Sequence, residues 1–332
     1  MKITLGIVGL GQIGASVGMA LADQDQLIRR IGYDSDRFVS RQASSMNAVD
    51  KTTSKLEDLI VDADVVLMAL PTDQMREMME QIGPLMKPGA VLMDTALSKE
   101  LVAKWATELL PDGCSYVGLT PVINPTYMMN TSSGVRGARA DLFHNSMIAI
   151  SSPLHTDPKA IKLAGDLTRL LGASLLFADM LEVDSMMTAT HIVPQLIAAA
   201  LLNATVDQPN WRDAGQMAGR AYAEVSGPIQ HLGMPGTLAA TAIQNRQNVL
   251  RVLNSVIASI ETMRDDIAAE QADTLTKRLE RARKGRDQWW KERHPEENKR
   301  ESPLYEKPSV ASSLFGNLLR TGGRRPRPES KD

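Results

Sequence analysis

The sequence predicts an α/β fold, a doubly wound parallel sheet followed by an all-helical region. Three observations predict it. Strand-like and helix-like segments alternate from Met1 to about Pro153, and glycines at G-x-G-x-x-G spacing stand where the first strand meets the first helix. From Asp157 the pattern changes to long helical stretches punctuated by Gly and Pro.

Ile3–Val8 is an apolar run that reads as the first strand, and Ile13–Asp23 is small and apolar at helical spacing. Ile28–Tyr33 is a second strand. Asp64–Ala69 reads as a fully buried strand, because parallel strands covered on both faces are apolar throughout. Thr72–Ile82 is helical and Lys87-Pro88-Gly89 is a turn. Ala90–Met93, the helix Lys99–Leu110, a short strand at Ser115–Gly118 and a last strand at Met147–Ile150 complete the expected sheet. Beyond it, Pro158–Leu171, Asp184–Ala204, Trp211–Gln230 and Thr237–Lys284 read as helices. The expected organisation is thus a dinucleotide-binding domain over 1–153, a helical substrate and dimerisation domain over 154–284, and a tail over 285–332. The tail is charged and Pro-rich and is expected to be disordered. Within it Val310–Arg320 could form a short amphipathic helix that docks a partner.

Composition excludes several classes. Of 332 residues, 37 are Lys or Arg and 39 are Asp or Glu, a net charge of −2 that points to neither nucleic acid nor a membrane surface. The single cysteine, Cys114, permits neither an internal disulfide nor a cysteine metal cluster, which fits a cytoplasmic protein. His144, His155, His231 and His294 show no ligand spacing, so no metal is expected. The N-terminus lacks the form of a secretory leader. The most apolar stretch, Ile192–Leu202, is interrupted by Pro194 and Gln195 and is too short to span a bilayer. Its apolar stripe suits a buried core helix or a dimer interface.

Gly9-Leu10-Gly11-Gln12-Ile13-Gly14 follows a strand and opens a helix, the context that gives this spacing its meaning. Gly9 permits the tight turn, Gly11 lets backbone approach a pyrophosphate, and Gly14 lets the helix pack closely on the strand. The N–H groups at Gln12 and Ile13 then face the phosphates at the positive end of the helix dipole. This is a Rossmann dinucleotide site. Asp34 ends the second strand 20 residues beyond Gly14, where a carboxylate accepts the ribose hydroxyls and repels a 2′-phosphate. NAD is therefore expected, with NADP possible because Arg37 and Arg41 follow; an N-cap is the other reading of Asp34. Asp94, ending another strand, reads either as a cofactor group or as a helix cap.

Several segments together resemble the prephenate and arogenate dehydrogenase family: Gly9–Gly14, Asp62–Pro71, Asp94–Lys99, Val117–Pro121, Ala138–Phe143 and Thr190-His191-Ile192-Val193-Pro194-Gln195. The match runs from about residue 3 to 265. The resemblance implies a homodimer built through the helical domain, and Leu70 and Pro71 beside the cofactor. It also implies oxidative decarboxylation of prephenate or arogenate, in tyrosine biosynthesis. Hydride passes from the ring hydroxyl carbon to NAD⁺, the hydroxyl proton needs an acceptor, and the carboxylates need cations or N–H groups. His191 falls on the family's second active-site histidine, a substrate-binding position. Thr120 stands where the first histidine is expected, Leu97 where a serine is expected with Ser98 adjacent, and Val225 where an arginine is expected with Arg220 one turn away.

His191, Thr120 and Ser98 are therefore the catalytic candidates, and Arg220, Arg139 and Asn124 the substrate-binding ones, with Arg136 a further cation. Asp184, seven residues before His191, could share its helix face and orient the imidazole, or serve as a cap. Two other readings stay open: a dehydrogenase acting on a different small carboxylic acid, or a non-catalytic NAD(H)-binding sensor or subunit.

Overall fold

The computed structural model describes residues 2–130, 132–231 and 235–294. Eight strands form one sheet in the order β3-β2-β1-β4-β5-β6-β7-β8. They are β1 (Ile3–Val8), β2 (Ile28–Tyr33), β3 (Lys51–Thr52), β4 (Val65–Met68), β5 (Val91–Asp94), β6 (Ser115–Pro121), β7 (Met147–Ser151) and β8 (Ser174–Phe177). All neighbours are parallel except β6 and β7. From β1 the chain steps to β2 on one side and later to β4 on the other. The crevice at the carboxyl ends of β1 and β4 is therefore the switch point where such sheets bind ligands. Every residue of β1, β4 and β5 is buried, which is why these strands read as unbroken apolar runs.

The sheet is covered by α1 (Gln12–Ala20), α2 (Arg37–Ser45), α3 (Glu57–Ile60), α4 (Thr72–Ile82), α5 (Lys99–Leu109) and α6 (Pro158–Leu170). One core lies under α1 and α6, the other under α4 and α5. The sheet runs past the last strand that the sequence suggested. α6 buries Ala160, Leu163, Ala164 and Leu167 against it, and β8 pairs with β7. An amphipathic period shows that a helix has an apolar face but not which surface covers it, and β8 is only four residues long, half-buried and thus weakly patterned.

The helical region comprises α7 (Met180–Met187), a π-helical turn (Thr188–Ile192), α8 (Val193–Thr205), α9 (Trp211–Met217), α10 (Arg220–Ser226), α11 (Pro235–Gln244), α12 (Arg246–Ala268) and α13 (Ala272–Arg293). Pro158–Leu171 forms as the single helix α6, but the expected helices Asp184–Ala204, Trp211–Gln230 and Thr237–Lys284 are each broken. Pro194 has no N–H for the carbonyl one turn back, so the helix widens before it. The Gln195 side chain donates to the His191 carbonyl at 2.8 Å within this turn. Asn245 leaves helical geometry (φ −102°, ψ 30°) between α11 and α12, and Glu270 adopts φ +54° between α12 and α13.

α13 also extends to Arg293, into the stretch expected to be disordered. Arg286 lies over the rings of Trp289 and Trp290, and Trp290 stacks on His294 at 4.0 Å, contacts that charge density in the sequence conceals. The tail from residue 295, including Val310–Arg320, lies outside the described residues. The helical run Met180–Thr205 is, by length and composition, long and apolar enough to cross a bilayer, unlike the shorter stretch considered from sequence. Its first half is a core element: Val183 and Met187 pack on Ala149 of β7.

Candidate active site

The glycine turn is shaped by three different demands. Gly9 has φ +91°, and a Cβ there would meet the Ala69 carbonyl oxygen at 2.5 Å. At Gly14 a Cβ would fall 1.9 Å from the Gly9 carbonyl oxygen, so only glycine lets α1 sit this close. At Gly11 a Cβ would meet nothing within 4 Å. The protein therefore does not need glycine at residue 11 for its own packing, whereas a ligand lying against the backbone does. Behind the turn, Gln12 Nε2 donates to the Gly137 carbonyl at 3.2 Å, and the Arg139 N–H donates to Ser16 Oγ at 3.0 Å. The segment Ala138–Phe143 is thereby fixed against α1, with Ala138, Leu142 and Phe143 buried in the same core. Ile13 packs partly buried against it.

Asp34 accepts the Leu10 N–H at 2.8 Å through one oxygen and the Asp36 N–H at 2.9 Å through the other. It holds the glycine turn and stands at the carboxyl end of β2, with a lone pair left on each oxygen. The α2 cap is Asp36, which accepts from Phe38 N–H at 2.7 Å. Leu70 and Pro71 follow β4 on the other side of the crevice, Leu70 partly buried and Pro71 exposed at the start of α4.

Asp94 does not face a ligand. It is fully buried, bonded to Lys99 Nζ at 2.8 Å, to the Tyr116 hydroxyl at 2.7 Å and to Ala96 N–H at 2.7 Å. These donors occupy the carboxylate, so the cofactor reading of Asp94 is corrected to a buried anchor between β5, β6 and α5. Burial pushes the Lys99 ammonium below its ordinary pKa against the pull of Asp94, and pushes the Tyr116 hydroxyl well above its own.

Asp184 does not orient His191. Its carboxylate crosses to the sheet domain and caps α5, accepting Lys99 N–H at 2.5 Å, Glu100 N–H at 3.2 Å and the Ser98 hydroxyl at 3.4 Å. Burial raises its pKa to about 6, the N–H donors opposing. Ser98, expected at the chemistry, is buried and committed to this carboxylate. α5 begins where β5 ends, at the carboxyl edge of the sheet. Asp184 thus ties α7 to that edge, and the π-helical turn with His191 follows α7 directly. Asn245 secures the turn from α12's start, donating to Thr188 Oγ1 at 2.8 Å and to the Asp184 carbonyl at 3.3 Å.

His191 has an assigned tautomer. The Thr190 hydroxyl gives its only proton to the Met186 carbonyl at 2.8 Å, so its 3.0 Å contact with His191 Nδ1 is one in which the ring donates. Nε2 then carries the ring's lone pair, with no partner among the described residues. The residue is exposed at the surface, yet the protein around it desolvates the imidazole and lowers its pKa. The ring is neutral at pH 7, as a proton acceptor must be.

Thr120 is buried near the end of β6, and its hydroxyl has no partner among the described residues. It is paired in register with Ala149, the residue on which Met187 of α7 packs. Thr120 and the π-helical turn thus converge on one end of the sheet. The substrate-binding candidates do not all join them. Asn124 accepts from Thr126 N–H at 3.1 Å and donates to the Asp141 carbonyl at 3.2 Å, which shapes the loop after β6. Arg139 Nη1 is bonded to the carbonyls of Arg136 and Ala138. Arg220 is 90 % exposed and paired with Glu224 at 2.7 Å, a helix-surface arrangement rather than a cleft cation. Sequence reasoning missed Thr190, Asn245 and Tyr116. Only Thr190 had a local signal, its position beside His191.

Residues 17–177 match the family model for the prephenate dehydrogenase nucleotide-binding domain. The chain is 23 % identical over 284 residues to the cyclohexadienyl dehydrogenase of Zymomonas mobilis, covering 85 % of this chain and 94 % of that one. It is 22 % identical over 289 residues to the prephenate dehydrogenase of Bacillus subtilis, covering 86 % and 76 %. Among solved structures, prephenate dehydrogenase from A. aeolicus in complex with hydroxyphenyl propionate and NAD⁺ has a TM-score of 0.76 at 19 % identity, covering 87 % and 98 %. Synechocystis arogenate dehydrogenase has a TM-score of 0.69 at 22 % identity, covering 86 % and 100 %.

Proposed function

We propose that the chain is a member of the prephenate and arogenate dehydrogenase family, an NAD-dependent dehydrogenase that oxidatively decarboxylates prephenate, arogenate or a closely related cyclic acid; the match to the nucleotide-binding domain of that family and the likeness to its members support this. The carrying observation is His191, its pKa lowered by desolvation and its Nε2 without a partner among the described residues, on the helical run that Asp184 ties to the start of α5. The open space at Gly11 and the free N–H groups that start α1 fit a pyrophosphate. NAD⁺, when bound, accepts hydride from the ring hydroxyl carbon. His191 Nε2 takes the hydroxyl proton as the hydride leaves, and returns it to the same oxygen once loss of CO₂ has made the ring aromatic. Thr120, which cannot act as a base near neutral pH, offers its unpartnered hydroxyl to a polar atom of the substrate. The Asp34 carboxylate favours NAD over NADP by repelling a 2′-phosphate.

The active form in this reading is a cytoplasmic homodimer joined through the helical region. α8 supports it: thirteen residues of strongly apolar character, with only Val193 and Ala198 buried in one chain. An apolar surface of that kind on a soluble enzyme calls for a second surface over it. Sedimentation of the purified protein tests the dimer.

The activity is tested by supplying prephenate and arogenate with NAD⁺ and NADP⁺ in turn and following reduced cofactor at 340 nm. Turnover with either acid supports the reading. NAD(H) binding without turnover on either supports an altered acid substrate, which Thr120 and Val225 at the family's histidine and arginine positions favour.

A further inference from the structure

Arg293 occupies an unusual electrostatic position. It lies on the last turn of α13, half-buried, and donates one N–H to the Ile123 carbonyl at 3.0 Å beside Met128 Sδ at 3.9 Å. Ile123 is two residues beyond the end of β6, so α13 reaches from the helical region to the loop at the carboxyl edge. Among the described residues no carboxylate pairs with Arg293, and burial alone lowers its pKa. A guanidinium that gives up water without an anion is a cost to the fold, and such a cost is retained where an anion arrives later. Of the other cations named for that task, Arg139 is committed to two carbonyls, Arg220 to Glu224, and Arg136 is exposed; the buried Lys99 is held by Asp94. The end of α13 is also stiffened from within, by Trp290 stacked on His294 and Arg286 over both tryptophans. A fixed guanidinium presents its donors as a planar fork that matches a carboxylate.

We propose that Arg293 binds a carboxylate of the substrate, closing the cleft from the side of α13. The inference rests on the dehydrogenase reading above and adds to it the residue that recognises the acid.

The test compares hydroxyphenyl propionate with its carboxamide, titrated calorimetrically into the full-length protein saturated with NADH. Wild type is expected to bind the acid about 10- to 100-fold more tightly than the amide, the range for one hydrogen bond to a charged group. Arg293→Met is expected to bind both alike while its NADH affinity is unchanged, and Arg293→Lys to retain part of the preference. Arg293→Met binding both ligands more weakly but keeping the full preference for the acid would overturn the proposal, because Arg293 would then only clamp the loop at Ile123. Wild type that binds NADH but neither ligand, and turns over neither prephenate nor arogenate, removes the dehydrogenase reading itself. Wild type that turns over either acid while Arg293→Met keeps its KM removes only the role of Arg293.

Discussion

The carboxylate of Asp184 accepts the backbone N–H of Lys99 at 2.5 Å, so a side chain of α7 caps a helix of the sheet domain. The contact fixes where α7 crosses the carboxyl edge, and therefore where the π-helical turn stands. Its pKa of about 6 in the fold, against an ordinary 3.8, means that the folded protein holds a proton that the unfolded chain releases in that interval. Stability contributed by this group therefore increases as pH falls from about 6 to about 4. The slope is at most about 1.4 kcal/mol per pH unit. Denaturant melts of wild type and Asp184→Asn at pH 7, 5.5 and 4 check it. The wild type is expected to gain on the variant as pH falls, and the opposite trend would show that the ionised carboxylate is a net stabilising cap.

His191 should impose an acid limb on kcat/KM. Its pKa is lowered by desolvation, so the limb should fall below the ordinary value of 6.5, with activity lost as pH drops through it. Replacing it with Asn should reduce kcat by about 10²–10⁴-fold and abolish the limb, the scale for loss of a general base. Thr190→Val should remove the acceptor for Nδ1–H and reduce kcat with little change in KM, since the ring stays but its tautomer is no longer fixed. A variant lacking His191 that keeps the same limb would assign the proton to another group.

Gly11 and Gly14 should separate binding from folding. Gly11→Ala has room for its Cβ in the protein alone and should fold normally while binding NADH at least tenfold more weakly. The estimate of at least about tenfold corresponds to about 1.4 kcal/mol of lost approach to the pyrophosphate. Gly14→Ala forces a Cβ to within 1.9 Å of a carbonyl oxygen and should lower the melting temperature as well. Thermal melts with and without NADH read both effects, and equal melting temperatures for the two variants would contradict the assignment.

Thr120→Val tests whether the unpartnered hydroxyl is held for a ligand. A buried hydroxyl without a partner costs about 1–3 kcal/mol, so valine should leave the free protein as stable as wild type or more so. KM for the acid should nonetheless rise. Loss of stability in the variant would mean that the hydroxyl already has a partner in solution.

Most of the cofactor half was legible in sequence, because its signals are local. Buried parallel strands must be apolar, and a turn that meets a pyrophosphate must be glycine. Gly9, Gly11, Gly14 and Asp34 therefore stand where their spacing put them. Asp94 shows the limit. A carboxylate at the end of a strand looks the same in sequence whether it meets a ligand or a lysine five residues on, and burial decided for Lys99.

The sequence by itself determined the six inner strands of the sheet, the glycine turn and the presence of a histidine on an apolar helix, since each depends on residues within one or two turns of each other. Tertiary structure alone decided the rest. Asp184 caps a helix 85 residues away, Asn245 braces the turn that carries His191 from 57 residues beyond Thr188, and Arg293 meets Ile123 across 170. Such contacts leave no periodicity behind, because hydrogen bonds between distant side chains and backbone depend on how the elements pack, and packing is a property of the whole fold.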